Sequence, residues 1–335
     1  MDLTELAFRK IYADVGNGIL VRPRNEPVIE IEDYSYSLPP YARFANFDAR
    51  KLKLDYIRKE LLWYFRANPF DSSIVDSASI WQELPNADGT INSNYGAHVF
   101  GKTAPALVSI STNSSAYMPT DENVGRSSTS IGMPVWHESQ FDKIIETLAA
   151  DKDSRRASAV ILNRAHLLSP KTKDYPCTYA LNFRIRNNEL KMSVHMRSQD
   201  AVFGMGNDAP AFSVIQEMVY VTLRDTAYPD LQMGSYHHTA DSFHYYERHF
   251  EMVKQINKAD NYTPLVIPKI RDVREVIYLL GGIHQTYEGG KYAGNYISLK
   301  TNLETHQKLS ETLGITVDAR NAAGDFSNWL TQGLS

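Results

Sequence analysis

The stretch YPCTYALNFRIRNNELKMSVHMRSQD, running from Tyr175 to Asp200, decides the fold. Tyr179, Leu181, Phe183 and Ile185 alternate with Ala180, Asn182 and Arg184, and after Asn187 and Asn188 the alternation resumes at Leu190, Met192, Val194 and Met196. Period-two alternation broken by two turn-forming residues predicts an antiparallel hairpin. Cys177 enters its first strand and Arg197 leaves its second, so the two ends lie side by side and bring a thiol and a guanidinium toward one pocket. Beyond Asp200 a glycine-bearing turn is expected, then a helix that begins near Pro210 and carries Phe212, Ile215, Met218, Val219 and Leu223.

Working outward, Leu54, Ile57, Leu61, Leu62 and Phe65 recur at helical spacing and predict an amphipathic helix from about Asp48 to Arg66, with Asp48 as a candidate cap and Glu60 among its apolar neighbours. Gly16 to Pro40 reads as loops around a short strand at Val28 to Ile31. After His249 the pattern is helical and polar, including Arg271 to Leu280 and Leu303 to Leu313, and no motif is visible there.

At 335 residues, without repeats, the chain suits one large-sheet α/β domain over 1–335. Hydrophobic residues at 43%, charged residues at 22% and a formal charge of -4 describe a globular protein without a basic footprint for a nucleic-acid polymer, so any nucleotide it handles is a small molecule. The N-terminus lacks a basic flank followed by an apolar core, and no run is long enough to span a bilayer, which points to a cytoplasmic protein with no membrane partner. The single cysteine excludes an internal disulfide framework and a multi-cysteine zinc site.

Cys177 is therefore either a small buried hydrophobe or a nucleophile, and as a nucleophile it needs a cation such as Arg197 to favour the thiolate. Arg155, Arg156 and Arg197 are forked donors suited to a phosphate, or members of surface ion pairs. Glu60, beside Ile57, Leu61 and Trp63, is a solvated helix residue or a site-facing acid whose pKa burial would raise. Asp200 reads as a turn residue, Trp81 as core, and Asp208 as the N-cap of the helix near Pro210. His237, His238, His244 and His249 raise a metal-site reading, which lacks a carboxylate or thiol at ligand spacing; no metal is expected.

These residues fall in ordered motifs. Tyr175-Pro-Cys-Thr-Tyr, His195-Met-Arg-Ser-Gln-Asp-Ala-Val-Phe-Gly and Asn207-Asp208 resemble the active-site core of thymidylate synthases, and the phage deoxycytidylate hydroxymethylase branch of that superfamily more closely still. Glu60-Leu-Leu-Trp-Tyr, Ile80-Trp-Gln, Ile91-Asn-Ser-Asn-Tyr-Gly, Asp153-Ser-Arg-Arg and Ser242-Phe-His-Tyr-Tyr-Glu-Arg-His agree in order. The resemblance covers about residues 30–250 and leaves 251–335 as a C-terminal extension of unassigned role.

The resemblance implies an α/β (α+β) fold with a large mixed sheet flanked by helices and a homodimer formed through that sheet. It implies that Cys177 attacks carbon 6 of a pyrimidine nucleotide, that 5,10-methylenetetrahydrofolate donates a one-carbon unit to carbon 5, and that Glu60 organises water and proton transfer. Arg197 and Ser198 would hold the phosphate from one subunit and Arg155 and Arg156 from the other, with Arg22 or Arg24 as a further contact. His244 and Tyr246 would bind the sugar 3'-hydroxyl, and Asp200 and Trp81 the folate. Asp208 stands where synthases carry an asparagine and the phage cytosine enzymes an aspartate, which implies dCMP as substrate and 5-hydroxymethyl-dCMP as product. Asn207 leaves a one-residue shift open. Thr178, Gly206-Asn207 and the tail from Trp329 depart from the synthase pattern. The remaining readings are dUMP or CMP hydroxymethylation, methylation of the synthase type, and a nucleotide-binding protein without turnover.

Overall fold

The computed structural model describes residues 2–101, 139–169, 172–282 and 322–332. The hairpin forms with the predicted strands: β4 (Thr178–Arg186) and β5 (Glu189–Asp200) pair antiparallel, with Arg186 opposite Glu189. Asn187 and Asn188 close it with φ of 53° and 60°, the left-handed pair that a two-residue turn matched to strand twist requires and that asparagine tolerates.

Four more strands complete the sheet among the described residues: β1 (Ile19–Val21), β2 (Val28–Leu38), β3 (Ser158–Val160) and β6 (Gln232–Tyr246), in the order β1-β2-β6-β5-β4-β3. All neighbours are antiparallel except β5 and β6. A parallel pair needs a long crossover, and α7 (Phe203–Thr226) supplies it across one face of the sheet. On that inner face Leu181, Phe183, Ile185, Leu190, Met192 and Val194 are buried against Val214, Ile215 and Met218 of α7. The opposite face carries Asn182, Arg184, Ser193, His195, His237 and Thr239.

Among the described residues the remaining α-helices are α1 (Leu3–Val15), α2 (Leu54–Arg66), α3 (Ile80–Glu83), α4 (Tyr95–Val99), α5 (Gln140–Ala150), α6 (Arg164–Leu168), α8 (Phe250–Ala259), α9 (Val273–Ile277) and α10 (Asp325–Thr331). The mixed sheet flanked by helices agrees with the expected class, and several boundaries differ from the sequence reading. The first helix begins at Leu54 instead of Asp48; Asp48 starts a separate short turn, and its carboxylate accepts from Asn261 Nδ2 at 3.2 Å. β2 runs eleven residues instead of four, because β6 pairs along nearly its whole length. α1 was not anticipated, although Phe8, Ile11, Tyr12 and Val15 bury one stripe of it at helical spacing.

The largest correction concerns α7, which starts at Phe203, seven residues before Pro210, so that Asp208 lies inside the helix and caps nothing. Val202 stands at the N-cap without a side-chain cap bond, and Asp200 orders the turn before it, its carboxylate accepting from the backbone N–H of Val202 at 2.8 Å and of Phe203 at 3.3 Å. Pro210 leaves the carbonyl four residues earlier without a donor and crowds it, and that residue is Gly206. A methyl group on Gly206 would lie 1.6 Å from Arg50 Nη2, so glycine here admits the buried guanidinium that donates to Val202 O at 3.0 Å.

Beyond β5 Met196 the strict alternation fails. Pairing skips Arg197, Asp241 and Asp33 at one level across three adjacent strands, and Asp33 sits at φ 52°. On either side of this kink the buried residues are three apart, Met196 and Gln199 in β5, Ala240 and Phe243 in β6. The kink turns Gln199 into the core, where simple alternation would point it away. Of the two helical stretches expected after His249, α9 falls within the first and packs on α7; Leu303 to Leu313 lies outside the described residues.

Candidate active site

Cys177 sits at the entry to β4 on a segment fixed from three sides. Asp174, 1% exposed, accepts from Ser93 N at 2.6 Å and Ser93 Oγ at 2.5 Å, while Asn92 Nδ2 donates to Asp174 O at 2.9 Å and Asn86 Oδ1 accepts from Lys173 N at 2.8 Å. Arg197 holds the third side: its backbone N–H donates to Cys177 O at 2.8 Å, Nε to Pro176 O at 3.1 Å and Nη2 to Tyr175 O at 2.7 Å. The hairpin therefore brings thiol and guanidinium together as predicted. The electrostatic outcome differs. Arg197 and Arg24 draw the Cys177 pKa down, but burial dominates, Asp208 and Asp174 add negative charge, and the thiol ends above its ordinary value.

Glu60, on the buried side of α2, is 5% exposed. Burial, then repulsion from Asp208, pushes its pKa up to about 8 against the help of Tyr56, whose O–H donates to Glu60 Oε1 at 3.1 Å. Trp81 Nε1 in turn donates to Tyr56 Oη at 2.8 Å, and the indole is largely buried, edge-on to Trp63 at 5.1 Å. Trp81 thus reaches Glu60 through Tyr56, a residue absent from the sequence reading; its only signal was its place one helical turn before Glu60.

Asp208 completes the centre. It is partly exposed, yet deep enough that burial, followed by the charge of Asp200, raises its pKa to about 7, opposed by Gln199 Nε2, which donates to Oδ2 at 3.1 Å. Its charge acts on Glu60, Cys177 and Tyr95. Asp208 is therefore within electrostatic reach of both the acid and the nucleophile. Tyr95 was also missed, although it lies in the Ile91-Asn-Ser-Asn-Tyr-Gly segment. α4 is pressed onto α2 so closely that a methyl group on Gly96 would lie 2.0 Å from Tyr64 O, and this contact seats the Tyr95 ring 5.8 Å from that of Tyr64.

At the rim, His244 pairs across β6 with Asp200 of β5 and Glu30 of β2. Its Nδ1 lies 3.3 Å from Ser242 Oγ, and Tyr246 meets it edge-on at 5.2 Å. Ser198 lies beside Ser242 and is partly exposed. Arg24 is near enough for its charge to act on both Cys177 and Tyr246, which distinguishes it from Arg22 as the N-terminal arginine of this pocket. Arg155 and Arg156 are not brought to it. Both are exposed, and the β3–β4 register sets Arg156 level with Arg184, seven residues along β4 from Cys177, roughly 20 Å at strand rise. The four-histidine reading fails on geometry, because His237 and His238 project from opposite faces of β6: His238 is fully buried and His237 meets Ser37 Oγ on the outer face at 3.0 Å.

The arrangement joins a nucleophilic sulfur to two carboxyl groups that titrate near neutrality, bordered by arginines, a histidine and tyrosines. That set can form a covalent bond to an electron-poor carbon and move protons around it. Comparison with known proteins agrees. The deoxycytidylate 5-hydroxymethyltransferase of Enterobacteria phage T4 is 27% identical over 208 residues, 59% of this chain and 70% of the relative, and that of Enterobacteria phage T6 aligns to the same extent. The deoxyuridylate hydroxymethyltransferase of Bacillus phage SP01 is 37% identical over 109 residues, 32% of this chain and 27% of the relative. A family model described as thymidylate synthase matches residues 28–278, most of the chain, and the chain belongs to that family of one-carbon transferases acting on pyrimidine nucleotides.

Proposed function

We propose that this protein transfers a one-carbon unit to carbon 5 of dCMP with addition of water, giving 5-hydroxymethyl-dCMP. The observation that carries this reading is Asp208, a carboxyl with a pKa of about 7 within electrostatic reach of Cys177 and Glu60. Cytosine offers an acceptor at ring nitrogen 3 and a donor at its exocyclic amine, and a protonated carboxyl meets both. The Cys177 thiol gives up its proton to solvent as Sγ bonds to carbon 6, and the electron pair of the 5,6 double bond moves through the ring toward nitrogen 3. Asp208 can deliver its proton there, leaving carbon 5 electron-rich.

5,10-Methylenetetrahydrofolate would supply the carbon, and Asp200, a partly exposed acceptor carboxylate at the start of α7, suits a heterocycle rich in N–H donors. Trp81 supports that side of the pocket through Tyr56. Glu60, protonated near neutral pH and held by Tyr56, places water and moves protons at the new carbon. Arg197, Ser198 and Arg24 bind the phosphate, and His244 and Tyr246 the sugar. The distance of Arg155 and Arg156 from Cys177 within one chain supports their action in a partner's site, hence a homodimer formed on the outer face of the sheet.

The SP01 relative favours a second reading, in which dUMP is the substrate. Incubating the protein with dCMP, CMP and dUMP separately, each with methylenetetrahydrofolate, and weighing both products decides the matter. Hydroxymethyl-dCMP with tetrahydrofolate is expected. A methylated nucleotide with dihydrofolate would establish a synthase, and unchanged nucleotides a binding protein.

A further inference from the structure

A protonated carboxyl has one O–H donor and one carbonyl acceptor, and nothing within the group decides which oxygen holds the proton. With the proton on the oxygen beside ring nitrogen 3, Asp208 complements cytosine. With the proton on the other oxygen, the same carboxyl in the same place complements uracil, donating to its oxygen and accepting from its ring N–H. Asp208 alone is therefore a weak discriminator, and selectivity requires a neighbour that breaks its symmetry.

Gln199 is placed to do so. It is 2% exposed and turned inward by the kink in β5; its Nε2 donates to Asp208 Oδ2 at 3.1 Å, and its Oε1 accepts from Tyr36 Oη–H at 3.2 Å. A carbonyl oxygen accepts such a bond better than a hydroxyl oxygen does, so the amide N–H keeps Oδ2 as the carbonyl and leaves the proton on Oδ1. Flipping the amide would aim Oε1 at Oδ2 and draw the proton there, reversing the code. The flip is opposed by Tyr36, which would then lose its acceptor.

The orientation of Tyr36 is itself built in. Its ring lies parallel to His238 at 4.9 Å and 5°, its phenol is hydrogen-bonded to that of Tyr236, and burial holds it far above the usual tyrosine pKa, so it remains a donor. Tyr236 Oη lies 2.7 Å from His238 Nδ1, and His238, fully buried and with its pKa lowered to about 3 mainly by burial, is neutral. His238 Nε2 has no partner among the described residues. An unpaired buried lone pair costs less than an unpaired N–H, which puts the proton on Nδ1 and makes it a donor to Tyr236. Donors then run in one direction, from His238 through Tyr236, Tyr36 and Gln199 to Asp208.

We propose that Gln199, oriented by Tyr36, fixes which oxygen of Asp208 carries the proton and so sets the choice between cytosine and uracil nucleotides. The inference takes its direction, cytosine over uracil, from the function proposed above. Gln199 acts through Asp208 and is a positioning residue. The test is the ratio of kcat/KM for dCMP to that for dUMP in the intact protein, in Gln199→Leu and in Tyr36→Phe, measured with methylenetetrahydrofolate at one pH. Gln199→Leu should lower the ratio at least about tenfold, chiefly by raising turnover of dUMP relative to dCMP, and Tyr36→Phe should lower it less. A merely structural role would depress both substrates alike and leave the ratio in place, and that result in either folded variant overturns the inference; Tyr36→Phe decides if Gln199→Leu does not fold. An intact protein that prefers dUMP would overturn the cytosine reading alone, since Gln199→Leu must then erode the dUMP preference instead.

Discussion

Replacing Glu60 with glutamine should stabilise the folded protein at alkaline pH and leave it nearly unchanged at acidic pH. Burial and Asp208 raise the carboxyl from its ordinary 4.5 to about 8 in the folded chain. A carboxyl with a raised folded pKa contributes its full stability below about 4.5, where both states hold the proton, and loses it as pH rises toward 8, because the unfolded chain releases the proton first. At 1.36 kcal/mol for each tenfold change in acidity, the loss reaches about 5 kcal/mol above pH 8. Asp208, with a pKa of about 7, ionises within the same window, so the repulsion belongs to the pair. Glutamine, which carries no charge, should therefore regain about 2 to 5 kcal/mol. The assay is urea unfolding of both proteins at pH 5 and pH 8.5, at one protein concentration. A stability difference that is equal at the two pH values would show that Glu60 is not held protonated, and the reasoning about burial on α2 would fall. The same variant should lose turnover, since the amide cannot exchange protons.

Cys177→Ser should abolish product formation while calorimetry still detects nucleotide binding, because the phosphate and sugar contacts remain; near-normal turnover would end the nucleophile assignment. Arg156→Ala and Cys177→Ser subunits, each inactive alone, should regain activity on mixing if sites are shared, since a mixed dimer holds one intact site, and no recovery after demonstrated exchange would argue for self-contained subunits. Asp208→Asn should shift preference from dCMP toward dUMP by roughly two to four orders of magnitude, from two mismatched groups at about 1 to 3 kcal/mol each. An unchanged ratio in that folded variant would dissociate Asp208 from base choice.

The hairpin was legible in the residues alone, and so was the meeting of its two ends. Two asparagines between alternating strands set the register locally, and a one-residue shift between Thr178 and Ala180 then brings Arg197 opposite Cys177. The helix bearing Glu60 was legible for the same reason, since its apolar spacing is a local property. α7 was misread at its start because Gly204, Gly206 and Pro210 are turn residues by propensity, and only the close approach of Arg50 explains a glycine there. Packing settled the rest. Whether Arg197 would prevail over burial at Cys177, and how far Glu60 and Asp208 would be driven toward neutrality, depends on charges and solvent exclusion contributed by residues distant in sequence. Gln199 shows the limit most plainly. Period-two reading points it away from the core, and only a kink shared by β2, β5 and β6 turns it onto Asp208 and Tyr36. Strand alternation can be read one strand at a time, whereas a kink that spans three strands exists only once they are paired.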